Sequence, residues 1–262
     1  MPTMFIFGLG YAASHIARAL TAKGWDIIST GSAGSIAFDD AASVRLGLAG
    51  ATHILSSVPP VSDGDPVLDT YGRDIAKNAT AWRAYLSSTG VYGDAGGAWV
   101  DETAPIKGRR ANRNEADQAW LEMGARVFRL PGIYGPGRSA LDRVTEGRAH
   151  RIDLAEQVFS RIHVDDIVSG VLAGLTGPAG AYNLADDLPC HQNLVTEAAC
   201  AMLGIAMPPL QTMDEAGLSP MARAFYAENR RVANGKAKRL LRWTPRHPSY
   251  REGLAACLSA KD

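Results

Sequence analysis

Short apolar runs alternate, along the first two thirds of the chain, with segments whose apolar positions recur every three to four residues. The short runs have the length and composition of strands that are buried on both faces of a sheet. These predicted strands are Met4–Phe7, Trp25–Thr30, His53–Val58, Tyr85–Ser88 and Arg126–Leu130.

Two of the intervening segments have a clear helical pattern. In Tyr11–Lys23 the apolar residues share one face and Gly24 provides a C-terminal stop, and Glu115–Met123 precedes the last strand. Strands that alternate with helices predict a parallel sheet with helices on both faces. The predicted fold class is therefore α/β, with a doubly wound parallel sheet.

The pattern becomes irregular after Arg138, where prolines separate short helical segments. We therefore expect a nucleotide-binding domain over residues 1–186 and a small substrate lobe over residues 187–262. Residues 139–157 could contribute to the small lobe.

Composition and charge narrow the class of protein. A chain of 262 residues, 46% hydrophobic and 21% charged, is typical of a soluble globular protein with a core of its own. Basic and acidic residues both number 27, so the formal net charge is zero. We therefore expect neither a nucleic acid nor a membrane surface as partner, but a small molecule.

The cysteines and the first residues of the chain predict the cellular compartment of the protein. Cys190, Cys200 and Cys257 are few, distant and odd in number, which indicates a reducing compartment. The apolar start differs from an export signal, since no basic residue precedes Arg18. We expect a cytoplasmic monomer or homodimer without a metal site, because the histidines lack partners at ligand spacing.

A glycine motif follows the first predicted strand directly. Gly8-Leu9-Gly10-Tyr11-Ala12-Ala13 has the form GxGxxA and precedes a predicted helix. Gly8 permits a tight turn, Gly10 lets the backbone approach a pyrophosphate, and Ala13 keeps helix and strand close. With the N–H groups of the helix N-terminus, this pattern predicts dinucleotide binding.

The end of the second strand bears on which dinucleotide is bound. NAD sites place an acid there to hold the ribose, but Asp39 and Asp40 come late in this chain. Thr30 and Ser32 could donate hydrogen bonds to a 2′-phosphate, so the sequence favours NADP slightly over NAD. The expected cofactor contacts are Gly8, Gly10, Tyr11, Ala12, Ala13, Thr30, Ser32, Ser57, Val58, Ser87, Pro131 and Ile133.

Four later segments carry further motifs: Tyr85–Asp94 (YLSSTGVYGD), Arg129–Arg138 (RLPGIYGPGR), Arg161–Ile167 (RIHVDDI) and Tyr182–Asp186 (YNLAD). In this order they resemble the characteristic segments of one family, the NAD-dependent epimerase/dehydratase family of extended short-chain dehydrogenases. The resemblance implies a Rossmann-type domain with a small C-terminal substrate lobe, a nicotinamide cofactor and a catalytic Ser or Thr, Tyr and Lys. Ser88, three residues before the Val of VYG, matches the residue whose hydroxyl contacts a substrate oxygen; a local backbone bond is the alternative.

The Tyr-x-x-x-Lys pair of the family is not present. Counting back from Asp117 by eight and four residues places Arg109 and Arg113 at the Tyr and Lys positions. An arginine stays protonated and cannot exchange the proton, although it can bind a carboxylate or phosphate in a bidentate fork. The alternative is a solvated helix start in which Arg113 pairs with Asp117.

Other residues whose side chains could take part in catalysis or substrate binding have structural explanations. Tyr92 and Tyr134 could donate protons, but their family positions favour structural roles. His163 ends a predicted strand, and Asp166 is predicted to cap the helix after it. Asp101 and Glu102 could meet substrate hydroxyls or face water.

Two functions remain open at this point. One is an oxidoreductase, epimerase or dehydratase that acts on a small polar substrate, anionic or of sugar type. The other is a catalytically impaired sensor or regulatory scaffold, which binds the dinucleotide without turning over a substrate. Absence of the Tyr-Lys pair is compatible with both, so the sequence leaves the question of catalysis undecided.

Overall fold

The computed structural model describes residues 1–62, 64–154 and 156–260. The strands are β1 (Thr3–Phe7), β2 (Asp26–Ser29), β3 (His53–Ser56), β4 (Trp82–Ser88), β5 (Trp99–Val100), β6 (Arg126–Leu130), β7 (Gly132–Tyr134), β8 (Arg151–Ile152), β9 (Arg161–His163), β10 (Gly180–Asn183), β11 (Leu210–Gln211) and β12 (Arg231–Val232). The helices are α1 (Tyr11–Thr21), α2 (Ala41–Gly50), α3 (Pro66–Lys77), α4 (Ala111–Glu122), α5 (Ala140–Thr145), α6 (Val164–Gly174), α7 (Gln192–Leu203), α8 (Pro220–Tyr226), α9 (Gly235–Leu240) and α10 (Tyr250–Ser259).

Six parallel strands form the central sheet in the order β2-β1-β3-β4-β6-β10. The strand order reverses between β1 and β3, and ligands of doubly wound folds bind at the carboxyl ends of strands beside such a reversal. The predicted α/β class and doubly wound sheet are therefore confirmed. All five predicted strands are present, and β4 begins earlier than predicted, at Trp82.

Apolar side chains cover both faces of the sheet. On one face, α1 and α6 bury Ile16, Leu20 and Ile167. On the other face, α2, α3 and α4 bury large side chains such as Tyr71 and Trp120. Burial of each large apolar side chain stabilises the fold by about 1.5–3 kcal/mol, so this packing holds the strand ends in place.

Residues beyond 186 pack in two places. Helices α7 and α10 join α5 in a separate apolar cluster that includes Leu141, Val195 and Leu254. By contrast, Leu241 and Trp243 pack against the core of the central sheet. None of the helices among the described residues combines the length and the apolarity needed to cross a membrane.

Candidate active site

A cleft of about 620 Å³ opens at the carboxyl ends of the sheet strands. The beginning of α1 contributes to one of its walls, and β4 and the residues after β6 contribute to its lining. The segment before α4, the first turns of α4, α8 and the residues before β12 complete it. A cleft of this size is in the range that binds small molecules.

The loop between β1 and α1 is held by the ends of two other strands. Gly8 has a φ of +78°, and a Cβ there would lie 2.9 Å from the Cγ2 atom of Val58. Its N–H donates to Thr30 Oγ1 at 3.2 Å, and its carbonyl accepts from Ser57 Oγ at 2.6 Å. Gly8 is therefore required by the loop itself.

Gly10 has a different environment. It precedes α1 with a φ of −79°, and a Cβ there would meet no atom within 4 Å. Among the described residues no side chain caps the helix, and its first turn contains no acid. The N–H groups of the first turn and the positive end of the helix dipole therefore face open space, which suits an anion.

The predicted cofactor contacts divide into two groups. Eight of them line the cleft: Gly10, Tyr11, Ala12, Ala13, Ser57, Ser87, Pro131 and Ile133. The other four, Gly8, Val58, Thr30 and Ser32, do not line it. Thr30 is buried beneath Gly8 and Ser32 is exposed beyond the cleft, whose described lining contains neither.

A cation stands beside the first residue of α1. The guanidinium of Arg138 lies 5.6 Å from the ring centre of Tyr11, whose hydroxyl donates to the carbonyl of Pro136 at 3.1 Å. Arg138 lines the cleft and is exposed. It adds a positive charge near the open N-terminus of the helix.

Ser88 lines the cleft at the end of β4. Its Oγ accepts a hydrogen bond from the N–H of Gly90 at 3.1 Å, so the local backbone bond expected as the alternative is present. This bond uses an oxygen lone pair and leaves the hydroxyl proton for a ligand. The local bond and a contact with substrate are therefore compatible.

A buried polar network fixes the middle of α4 beneath the cleft. Arg129 donates to both carboxylate oxygens of Asp117, at 2.6 and 3.1 Å, and Asp117 also accepts from Ser87 Oγ at 2.6 Å. The hydroxyl of Tyr92 accepts from Arg129 at 3.0 Å and donates to Asn183 at 2.7 Å. The alternative in which Arg113 pairs with Asp117 is therefore wrong, because Arg129, on the following strand β6, binds both oxygens of that carboxylate.

The two arginines at the family Tyr and Lys positions both line the cleft. Arg109 donates to Glu228 Oε1 at 2.7 Å and to the carbonyl of Ala224 at 2.8 Å, which ties the segment before α4 to α8. Arg113 is half-buried in the first turn of α4, and its guanidinium makes no hydrogen bond or ion pair with another described residue. The helix begins four residues earlier than predicted, at Ala111.

Sequence reasoning missed a second charged pair in the cleft and its aromatic wall. Glu228 also accepts from Arg230 at 2.6 Å; burial opposes ionisation, but the two arginines hold the pKa of Glu228 below its usual value. The stacked rings of Phe159 and Phe225 line the same end. No local sequence signal marks these residues, since they come from segments that meet only in the folded chain.

The other candidate residues lie outside the described lining of the cleft. Tyr92 belongs to the buried network, and Tyr134 packs edge-on against His163 at 5.2 Å. Glu102 accepts from the backbone N–H of Asn183 at 2.7 Å, a structural contact. We therefore assign structural roles to these side chains.

His163 and its neighbours correct two expectations. His163 itself caps α6 by accepting from the N–H of Asp165, whereas Asp166 accepts from His247; the prediction that Asp166 is the cap is wrong. Ligand atoms of His163, Asp165 and His247 lie within 4.8 Å of one another, so these histidines do have neighbours at ligand spacing. Burial, with the nearby His247, lowers the pKa of His163 to about 4.

Known proteins resemble the chain at two levels, although no family model matches it. A functionally unknown conserved protein from Silicibacter pomeroyi DSS is 41% identical, with 99% of each chain covered and a TM-score of 0.89. A 3-diazoavenalumate denitrifying reductase from a Streptomyces species is 31% identical over 145 residues. That match covers 51% of this chain, which thus spans less than half (47%) of the reductase.

More distant structures identify the fold. An ADP-L-glycero-D-manno-heptose-6-epimerase from Helicobacter pylori is 14% identical over 99% of this chain and 96% of its own, with a TM-score of 0.79. A dTDP-glucose 4,6-dehydratase from Bacillus anthracis in complex with NAD is 16% identical, with the same coverage and a TM-score of 0.74. The chain has the fold of the NAD-dependent epimerases and dehydratases, which confirms the resemblance at this level. It belongs to the same family as the Silicibacter pomeroyi protein.

Proposed function

We propose that the chain is a nicotinamide-dinucleotide-dependent reductase that acts on a small anionic substrate. The observation that carries this proposal is the single cleft into which the open N-terminus of α1, Ser88 and Arg113 all face. A dinucleotide at the N-terminus of α1 would lie beside Ser88, which can donate a hydrogen bond, and Arg113, which can bind an anion.

The loop between β1 and α1 fits the dinucleotide; in this proposal its residues Gly8–Ala13 form the phosphate loop. The open space in front of Gly10 would receive the pyrophosphate, and Arg138 would add a positive charge beside it. When bound, the cofactor supplies a hydride. The Bacillus anthracis neighbour is a complex with NAD, which supports this class of ligand. We favour NADP because Asp40 is committed to capping α2 through the N–H of Ser43.

The arginines favour reduction over epimerisation or dehydration. A sugar hydroxyl that is to be oxidised first must lose its proton to a base, and an arginine cannot accept it. Reduction instead adds a hydride to the substrate carbon and builds negative charge on the attached oxygen or nitrogen, which a fixed guanidinium stabilises before solvent water protonates it. In this proposal Ser88 donates a hydrogen bond to the same developing oxygen or nitrogen anion, and Arg113 holds the anionic group of the substrate. The reductase from Streptomyces supports the same type of chemistry.

A dinucleotide sensor without turnover is the second candidate. Arg109 and Arg113 stand where the family carries its proton-exchanging Tyr and Lys, and this observation favours loss of the family's chemistry. The sensor and the reductase share cofactor binding and differ in turnover. A cytoplasmic location remains part of the proposal, supported by three cysteines that are buried and form no disulfide.

Calorimetric titration with NAD and NADP tests the shared part of both candidates. We expect binding by the native chain and a loss of more than tenfold in affinity in Gly10→Val, whose branched side chain would occupy the place of the pyrophosphate. If the native chain binds neither dinucleotide at millimolar concentration, both candidates are wrong. Oxidation of NADPH with a panel of small carboxylate-bearing carbonyl compounds then separates them, because the sensor binds the cofactor without turnover.

A further inference from the structure

An aromatic surface is exposed inside the most strongly charged part of the cleft. The rings of Phe159 and Phe225 stack with centroids 4.5 Å apart and an angle of 2° between their planes, and Tyr226 stands edge-on against both. Phe159 is buried, whereas Phe225 remains 52% exposed. Large apolar side chains cost free energy when exposed to water, so this ring offers a surface that a ligand can cover.

The arginines around this surface differ in whether they have an anionic partner. Five arginines line the cleft (Arg109, Arg110, Arg113, Arg138 and Arg230), and its described lining contains one acid, Glu228. The carboxylate of Glu228 lies between Arg109 and Arg230, so those two guanidinium groups already have a partner. Arg113 has none among the described residues, and it is half-buried.

The bond from Arg109 to Ala224, the residue before Phe225, brings these two features together. Arg113 follows Arg109 by four residues, in the first turn of α4, and Phe225 follows Ala224 directly. The bond between Arg109 and Ala224 therefore links the segments that carry the cation and the aromatic ring, both of which line the cleft. A ligand with one flat apolar part and one anionic end would contact both.

The geometry points to an aromatic carboxylate as the substrate class, with its ring on Phe225 and its carboxylate on Arg113. This inference rests on the proposed function, since it names the substrate of the same cleft. Aromatic rings stack favourably in parallel-offset arrangements, and a carboxylate binds a guanidinium through two parallel hydrogen bonds.

Three probes of similar size separate the contributions of charge and ring: benzoate, cyclohexanecarboxylate and benzyl alcohol. Their affinities are measured by calorimetry on the full chain saturated with NADP or NAD. We expect benzoate to bind at least fivefold more tightly than cyclohexanecarboxylate and at least tenfold more tightly than benzyl alcohol. UDP-glucose serves as the competing substrate class.

Two variants assign these differences to residues. Arg113→Gln should weaken benzoate at least tenfold, and Phe225→Leu should remove the preference for benzoate over cyclohexanecarboxylate, whereas Phe225→Tyr should keep it. Arg73→Gln, on the exposed face of α3, is the matched control and should change nothing. Unchanged dinucleotide affinity in each variant verifies that the fold and the phosphate loop are intact.

Equal binding of the two carboxylates by the native chain would overturn the inference, and so would binding of UDP-glucose without benzoate. In either case dinucleotide binding would persist, and the proposed function would stand. A failure of dinucleotide binding itself would instead remove the proposed function, so the two failures are distinguishable.

Discussion

The two ends of the cleft are built by different means. The phosphate-loop end consists of backbone and small residues from one continuous segment, Gly8–Ala13, in which Gly8 donates a hydrogen bond to Thr30 and accepts one from Ser57. The far end consists of long side chains from distant segments; Arg109 and Glu228 are 119 residues apart in the chain. The first end needs particular backbone torsions, whereas the second needs particular partners.

This difference affects what each end can tolerate. A loop of glycines depends on steric space, so a single added side chain changes it. The far end depends on α4 being fixed in place, which the buried pair of Asp117 and Arg129 provides. We expect substitutions to disrupt the first end through steric clashes and the second end through loss of electrostatic partners.

The largest effect is expected at the buried ion pair of Asp117 and Arg129, which holds α4 in place at the far end of the cleft. Asp117→Ala leaves the buried guanidinium of Arg129 unpaired and should reduce the free energy of unfolding by about 3–5 kcal/mol. Urea denaturation measures this loss. In the control Asp74→Ala, which removes a surface pair with Arg45 and Lys77, the change should stay within about 1 kcal/mol. Equal losses in the two variants would contradict a structural role for the buried pair.

A matched pair of substitutions tests the phosphate-loop end. Gly8→Ser should lower the free energy of unfolding by about 1–2 kcal/mol or more, because its φ is +78° and its Cβ would press on Val58. Gly10→Ser, at an N-cap position that serine favours, should change it by about 0.5 kcal/mol or less while weakening dinucleotide binding. Thermal unfolding and calorimetry together check both parts. Similar stability losses at the two positions would show that Gly10 is also structural.

A smaller effect is expected from the cation beside the first residue of α1. Arg138→Ala should weaken dinucleotide binding by roughly three- to tenfold, because one exposed charge beside the phosphates is lost. The loss should shrink as salt is added, since screening weakens exposed charges. Arg73→Ala is the control of equal charge change outside the cleft. An affinity that is unchanged at low salt would exclude Arg138 from the phosphate site.

The smallest effect concerns the choice of dinucleotide. We expect NADP to bind at least as tightly as NAD, because no carboxylate occurs between Thr30 and Phe38. Competition between the two on the native chain measures the ratio. A tenfold preference for NAD would indicate that Asp39 reaches the ribose, and Asp39→Asn should then abolish that preference.

The sequence by itself determined five of the six strands of the central sheet, the fold class and the glycine loop Gly8–Ala13. These features depend on local properties: the period of apolar residues selects strand or helix, and a positive φ at Gly8 requires glycine wherever the chain folds around it. The segment after β2 was harder to predict, because only a single bridge between Thr30 and Ile36 follows before α2.

Only the tertiary structure decided which side chains become partners. Asp117 pairs with Arg129 rather than with Arg113, and His163 rather than Asp166 caps α6. A charged or polar side chain bonds whatever the folded chain places beside it, and helical spacing offers only one of several candidates. For the same reason the sequence could not show that Phe225 and Arg113 border one cleft, since they lie on helices that meet only through long-range packing.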